Sequence, residues 1–147
     1  MMPMLSRREV EAHVEFYALW AEDADEEEFG ESPEPGTALL ESRVGRLIFR
    51  SGGHTHRAAF TAEVWDEAPP QDGRDWEASA ETEWFCRSGK VSVWSYGGPN
   101  EPVVELGAAG KLWRTRAYVT GQEQVRDLAQ EEVPVRVEHF LVQFWPA

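Results

Sequence analysis

Residues 10–20 read Val-Glu-Ala-His-Val-Glu-Phe-Tyr-Ala-Leu-Trp and carry the strongest secondary-structure signal in the chain. Every even position is apolar, whereas the odd positions begin polar and become apolar at Tyr17 and Leu19. Such alternation is typical of a β-strand with one buried face, because successive side chains point to opposite sides of a sheet. The stretch therefore predicts one strand over residues 10–20, with helix formers at residues 7–13 as the basis of a helical alternative.

The same alternation recurs along the chain, and Gly- and Pro-containing segments separate the apolar runs. Glycine supplies positive φ and proline restricts φ, so these segments are expected to be turns. The apolar runs cover residues 46–50, 58–66, 79–86, 90–96, 111–120 and 135–145. About seven or eight short strands at this spacing predict an all-β fold, an antiparallel β-sandwich. We expect a single domain over residues 1–147, with a short helix within residues 122–130.

Composition narrows the range of functions. The 147 residues include 14 basic and 27 acidic side chains, for a net charge of −13, with 41% hydrophobic residues and seven tryptophans. This apolar content excludes wholesale disorder. The charge argues against nucleic-acid binding, which needs cations to neutralise phosphates, and against anionic membranes, but it permits a basic protein partner. A lone cysteine, Cys86, and the absence of a signal-like or membrane-spanning stretch predict a cytoplasmic protein without disulfides.

The acidic residues are concentrated in one segment. Residues 22–34 hold eight acidic and no basic side chains, within a predicted acidic loop at residues 22–36. One interpretation is a solvated loop, and a second is a docking surface for a basic partner such as a nuclease or toxin. A third, calcium binding, has EF-hand-like spacing but Glu28 where the sharp turn requires glycine. The predicted partner-binding residues are Glu22, Asp23, Asp25, Glu26, Glu27, Glu28 and Glu31.

Two further groups are candidate sites. Trp94, Tyr96 and Trp113 are candidates for a stacking platform that binds a small molecule or carbohydrate, although aromatic residues also fill β cores. His54 and His56 are weak metal-ligand candidates, because a metal site needs three or four converging ligands and turn histidines fit the pattern better. The sequence contains no established catalytic motif, so we expect neither enzymatic activity nor a cofactor.

Two segments near the end of the chain resemble a known family. Residues 110–119, Gly-Lys-Leu-Trp-Arg-Thr-Arg-Ala-Tyr-Val, and residues 137–146, Val-Glu-His-Phe-Leu-Val-Gln-Phe-Trp-Pro, resemble strands of small bacterial β-sandwich proteins. The characterised example is the family of the competence protein ComJ, which inhibits a DNA-entry nuclease. The resemblance implies a two-sheet sandwich and an inhibitor or immunity role. It implies no functional residue.

Overall fold

The computed structural model describes residues 4–25 and 38–147, which form ten strands and one helix. The helix, α1, spans Gln122–Leu128 and confirms the short helix expected in this region. The strands are β1 (Met4–Glu15), β2 (Ala18–Asp23), β3 (Leu40–Arg43), β4 (Arg46–Arg50), β5 (Thr55–Trp65), β6 (Ala78–Cys86), β7 (Lys90–Ser95), β8 (Gly98–Glu105), β9 (Lys111–Thr120) and β10 (Val135–Pro146).

All ten strands belong to one mixed sheet, in the order β3-β4-β2-β1-β5-β10-β9-β6, with β7 joining β2 and β8 joining β7. Strand β5 pairs antiparallel with β1 and parallel with β10. The fold is therefore all-β, as predicted, but the expected antiparallel two-sheet sandwich is replaced by a single mixed sheet. Local alternation could not reveal this difference, because it is the same in parallel and antiparallel strands.

The sheet curls into a nearly closed barrel. Its two path-end strands, β3 and β6, lie side by side, where the hydroxyl of Ser42 donates to the carbonyl of Glu83 at 2.7 Å. The indole N–H of Trp84 donates to the carbonyl of Arg43 at 3.2 Å. The right-handed twist of strands accumulates across a wide sheet and makes such curling favourable.

The barrel interior is the hydrophobic core. Phe49, Phe60 and Phe140 pack edge-on or tilted with ring centroids 5.5 to 6.4 Å apart. Trp84 and Trp113, which face each other across β6 and β9, are both buried. Each fully buried aliphatic or phenylalanine side chain contributes about 1.5–3 kcal/mol relative to its exposed state. The core therefore provides a rigid frame for the turns at the ends of the strands.

The prediction of one strand over residues 10–20 is wrong, because the structure has a hairpin there. Glu15 pairs with Ala18, so Phe16 and Tyr17 form a two-residue turn between β1 and β2. Val10, Ala12 and Val14 face the core before the turn, and Leu19 and Ala21 face it afterwards. The change from even to odd positions explains why the odd residues become apolar at Tyr17 and Leu19.

Strands β3 and β8 were not predicted. Strand β3 has only four residues, and β8 carries prolines at positions 99 and 102, which reduce the strand signal. Among residues 4–25 and 38–147, the structure has no helix with the length and apolar character needed to span a bilayer.

Candidate protein-binding surface

The turn between β1 and β2 has an unusual backbone. Phe16 and Tyr17 have φ angles of 53° and 62°, in the left-handed region. Two-residue hairpin turns of type I′ require positive φ at both central positions and normally use Asn-Gly or similar pairs. In a bulky L-residue this conformation costs about 1–2 kcal/mol, and such strain persists only where the surroundings enforce it.

The two turn residues belong to an exposed group of rings. Phe16 is 57% exposed, Tyr17 is 39% exposed and Tyr96 is 36% exposed. The Phe16 ring lies 4.9 Å from that of His54 and 5.5 Å from that of Tyr96, and the Tyr17 ring lies 5.2 Å from His54. We call these four residues, Phe16, Tyr17, His54 and Tyr96, the aromatic tip. They form a continuous aromatic surface at one end of the barrel.

Backbone hydrogen bonds hold the tip in place. The N–H of Tyr17 donates to the carbonyl of His54 at 3.3 Å, and the N–H of Ser51 donates to the carbonyl of Tyr17 at 2.8 Å. Below the tip, Trp20 packs against Tyr96 with ring centroids 5.3 Å apart. The turn that follows β4 therefore positions the rings, and the tip is a built feature of the fold.

That neighbouring turn is fastened to β10 by a buried polar cluster. The hydroxyl of Ser51 donates to Oε1 of Glu138 at 2.6 Å and lies 2.7 Å from Nε2 of His56. The N–H of Gly52 donates to Oε2 of Glu138 at 2.8 Å. All three side chains are buried, so the cluster fixes the backbone that carries His54. No local sequence pattern indicates this cluster, because His56 and Glu138 lie 5 and 87 residues from Ser51.

Burial changes the acidity of this cluster. It raises the pKa of Glu138 to about 7, although hydrogen bonds from Gly52, Ser51 and Gln122 act in the opposite direction. It also lowers the pKa of His56 to about 4. Both shifts favour uncharged side chains, as expected where water is excluded. Because Glu138 and His56 change protonation with pH, we expect the stability of the turn below the tip to depend on pH.

The two histidine candidates are divided between these two features. His54 is exposed and its Nδ1 lies 2.7 Å from Oγ1 of Thr55, whereas His56 is buried in the polar cluster. In the part of the chain that the structure describes, no three histidine, cysteine or acidic side chains lie close enough to hold a metal ion. A turn role thus describes His54 but not His56.

The proposed stacking platform of Trp94, Tyr96 and Trp113 does not assemble. Trp113 is 2% exposed and points into the barrel, because alternation along β9 places it on the inner face. Trp94 is half-buried on β7 beside Trp20. Of the three, Tyr96 is on the exposed aromatic surface, where it meets Phe16, a residue within the strand predicted over residues 10–20. The sequence signal that could have revealed the turn was the appearance of apolar residues at odd positions from Tyr17 onward.

The first acidic candidates are structural. Glu22 and Asp23 are buried in β2 and not in a loop, and Glu22 accepts a hydrogen bond from Nε of Arg46 at 2.8 Å. Burial opposes ionisation of Asp23, but hydrogen bonds from Ser88, Asp25 and Arg87 outweigh it and lower the pKa of Asp23. Asp25 is exposed. Glu26, Glu27, Glu28 and Glu31 lie outside the described residues.

A cavity of about 560 Å³ opens beside Tyr17. Its walls carry charges of both signs, from Arg50, Arg126, Glu77 and Glu123. Small-molecule sites are mostly apolar with a few polar groups, so this cavity differs from that type.

The fold places the chain in a class of small all-β barrels built from one mixed sheet, and two solved structures share it. ComJ from Bacillus subtilis, inhibitor of the DNA-degrading activity of NucA, has a TM-score of 0.66 at 8% identity, with 100% of this chain and 99% of that chain covered. A protein described as crocagin biosynthetic gene J has a TM-score of 0.64 at 13% identity, covering 97% and 99%. No family model and no curated protein matches the sequence. The predicted resemblance to ComJ is thus confirmed for the fold.

Proposed function

We propose that this protein is a non-catalytic inhibitor that binds a DNA-degrading nuclease. The observation that carries the proposal is the end-to-end match of its fold with ComJ, an inhibitor of NucA. The exposed aromatic tip supports a protein-binding role, because aromatic residues dominate the energetics of protein interfaces. A toxin with a nuclease-like basic cleft belongs to the same class of partner.

Charge supports a basic partner. The net charge of −13 attracts a protein whose active-site cleft carries cations for phosphate groups. We propose that the acidic side chains from Asp25 to Glu34 mimic phosphates and guide the protein toward that cleft. Glu22 and Asp23 support β2 instead, since both are engaged within the barrel.

The test measures DNA degradation by a panel of purified nucleases that includes NucA, with and without the protein. We expect at least one nuclease to be inhibited, and the affinity to fall steeply between about 50 and 500 mM salt, because salt screens exposed charges. If no nuclease in the panel is inhibited at low salt, the proposal is wrong.

A pair of charge variants separates the acidic segment from net charge alone. The first replaces Asp25, Glu26, Glu27, Glu28, Glu31 and Glu34 by the corresponding amides. The matched control replaces six other acids, of which all are exposed: Glu67, Asp75, Glu101, Glu105, Glu131 and Glu132. Both variants carry the same net charge, and we expect the first to slow association more than the control. Equal association rates would show that the segment has no special part in binding.

A further inference from the structure

We propose that the aromatic tip is the anchor of the interface and enters the substrate cleft of the nuclease; this inference rests on the function proposed above. Conformational strain in the turn supports this role. An Asn-Gly pair would form the two-residue turn at little cost, yet the chain has Phe16 and Tyr17 there, both at positive φ. Fold stability therefore does not explain these two apolar side chains, of which Phe16 is 57% exposed and Tyr17 is 39% exposed.

The rigidity of the tip also supports this role. The rings contact one another and the turn is hydrogen-bonded to the backbone of Ser51 and His54, so the tip loses little conformational entropy on binding. Interface residues with the largest energetic effect are typically aromatic side chains that fill a pocket on the partner. A rigid, protruding group of rings has this form.

The chemistry of a nuclease cleft matches that of the tip. A cleft that binds nucleic acid combines cations for the phosphates with flat side chains on which bases stack. The tip offers planar rings, and Glu15, which precedes Phe16 in the chain, carries a carboxylate that accepts a hydrogen bond from the hydroxyl of Ser95 at 3.4 Å. Rings in place of bases and a carboxylate in place of a phosphate complement such a cleft. A neutral apolar groove would complement the rings alone.

The tip and the acidic segment are expected to act on different rate constants. The tip precedes Ala18 at one end of β2, and Asp25, the first residue of the acidic segment, follows Asp23 at the other end. Five residue steps of about 3.3 Å give a separation of about 17 Å along the strand. This exceeds the Debye length of about 8 Å at physiological ionic strength. The acidic segment thus steers association, whereas the tip governs dissociation.

The test compares the wild type with the double variant Phe16→Asn/Tyr17→Gly, using the nuclease that the wild type inhibits most strongly in the panel. We expect dissociation to become about 100-fold faster, with association changed by less than about threefold. The double variant should also unfold at a higher denaturant concentration, because Asn-Gly suits the turn. A merely structural role would produce the opposite stability change.

The matched control is Val44→Asn, which removes another exposed apolar side chain from a two-residue turn. Val44 is 97% exposed between the paired residues Arg43 and Arg46 of β3 and β4. We expect its dissociation rate to equal that of the wild type.

Unchanged dissociation of the double variant would overturn this inference while leaving the proposed function intact. A loss of stability would also overturn it, by showing that the tip serves the fold. So would a wild-type dimer, seen by sedimentation, that the double variant cannot form, because the tip would then bind a second copy. Failure of the wild type to inhibit any nuclease would overturn both proposals together.

Discussion

Glu138 illustrates how position changes the chemistry of a single residue. In the sequence it is an ordinary acid in an apolar run, but in the barrel it is fully buried between Ser51 and the N–H of Gly52. Taking a carboxylate out of water favours its neutral form, and this raises the pKa of Glu138 to about 7. Nothing local predicts this, because Ser51 lies 87 residues away.

The raised pKa predicts a pH-dependent stability. An unfolded glutamate loses its proton near its ordinary value of 4.5, whereas folded Glu138 keeps it to about 7. The folded state binds more protons in this window, so the free energy of unfolding falls as pH rises through it. His56, with its pKa lowered from 6.5 to about 4, contributes the opposite slope below about pH 6.5. We therefore expect the net fall to appear from about pH 6.5 to just above 7.

Urea unfolding at a series of pH values would measure this fall. Glu138→Gln should remove it, because the amide does not titrate; its single oxygen can accept only one of the two hydrogen bonds from Ser51 and Gly52, so the variant is also less stable at every pH. Glu132→Gln, on an exposed side chain, serves as the control and should retain the wild-type slope. Parallel curves for wild type and Glu138→Gln would contradict the assignment of the slope to this carboxyl group.

At the scale of elements, periodicity predicted strands well but not their connections. Strand β4 and strand β9 begin and end where the alternation indicated, since one face of each packs on the core. The β1–β2 turn was missed because Phe16 and Tyr17 are not turn formers; backbone hydrogen bonds with Ser51 and His54 and contacts between the rings hold them there. Local propensity favours residues such as asparagine and glycine in this turn, whereas tertiary contacts allow Phe16 and Tyr17 to occupy it.

A glycine, Gly121, connects β9 to α1, and both its backbone conformation and its surroundings disfavour a side chain there. Gly121 has a φ of 83°, and a Cβ at this position would overlap the carbonyl oxygen of Val137 on the neighbouring strand. Gly121→Ala combines backbone strain with a clash, so we expect it to destabilise the fold by at least about 2 kcal/mol. Chemical denaturation monitored by tryptophan fluorescence would measure the change.

Two other glycines allow the effect of backbone strain to be separated from the effect of the steric clash. Gly110 has a φ of 67° but open space around a Cβ, so Gly110→Ala should show the strain alone, about 1–2 kcal/mol. Gly73 has neither feature, and Gly73→Ala should leave stability nearly unchanged. An equal loss for Gly121→Ala and Gly110→Ala would show that the clash relaxes freely.

At the scale of the whole molecule, closure of the barrel depends on few contacts. Strands β3 and β6 meet through Ser42 and Trp84, whose donors reach backbone carbonyls on the opposite strand. By contrast, β6 pairs with β9 in a continuous ladder from Ala78 to Cys86. We therefore expect the β3–β6 seam to be sensitive to the loss of a single hydrogen bond.

Trp84 and Trp113 form a matched pair for testing the seam. They face each other in register and are equally buried, but only Trp84 donates its indole N–H across the seam; within the described residues, that of Trp113 has no acceptor. Trp84→Phe should lower the free energy of unfolding by about 1–3 kcal/mol more than Trp113→Phe, because it leaves a carbonyl of the seam unpaired. Equal losses in urea titrations would mean that the indole bond does not stabilise the seam.

The sequence by itself determined the all-β class, most strand positions, the short helix and the excess of acidic charge. These properties depend on local periodicity and composition, which are the same wherever the segment lies. Only the tertiary structure decided that β10 pairs parallel with β5, that Glu22 and Asp23 are buried, and that Phe16, Tyr17, His54 and Tyr96 meet. Each of these depends on residues distant in sequence that approach only when the sheet curls and burial outweighs the local preferences of the chain.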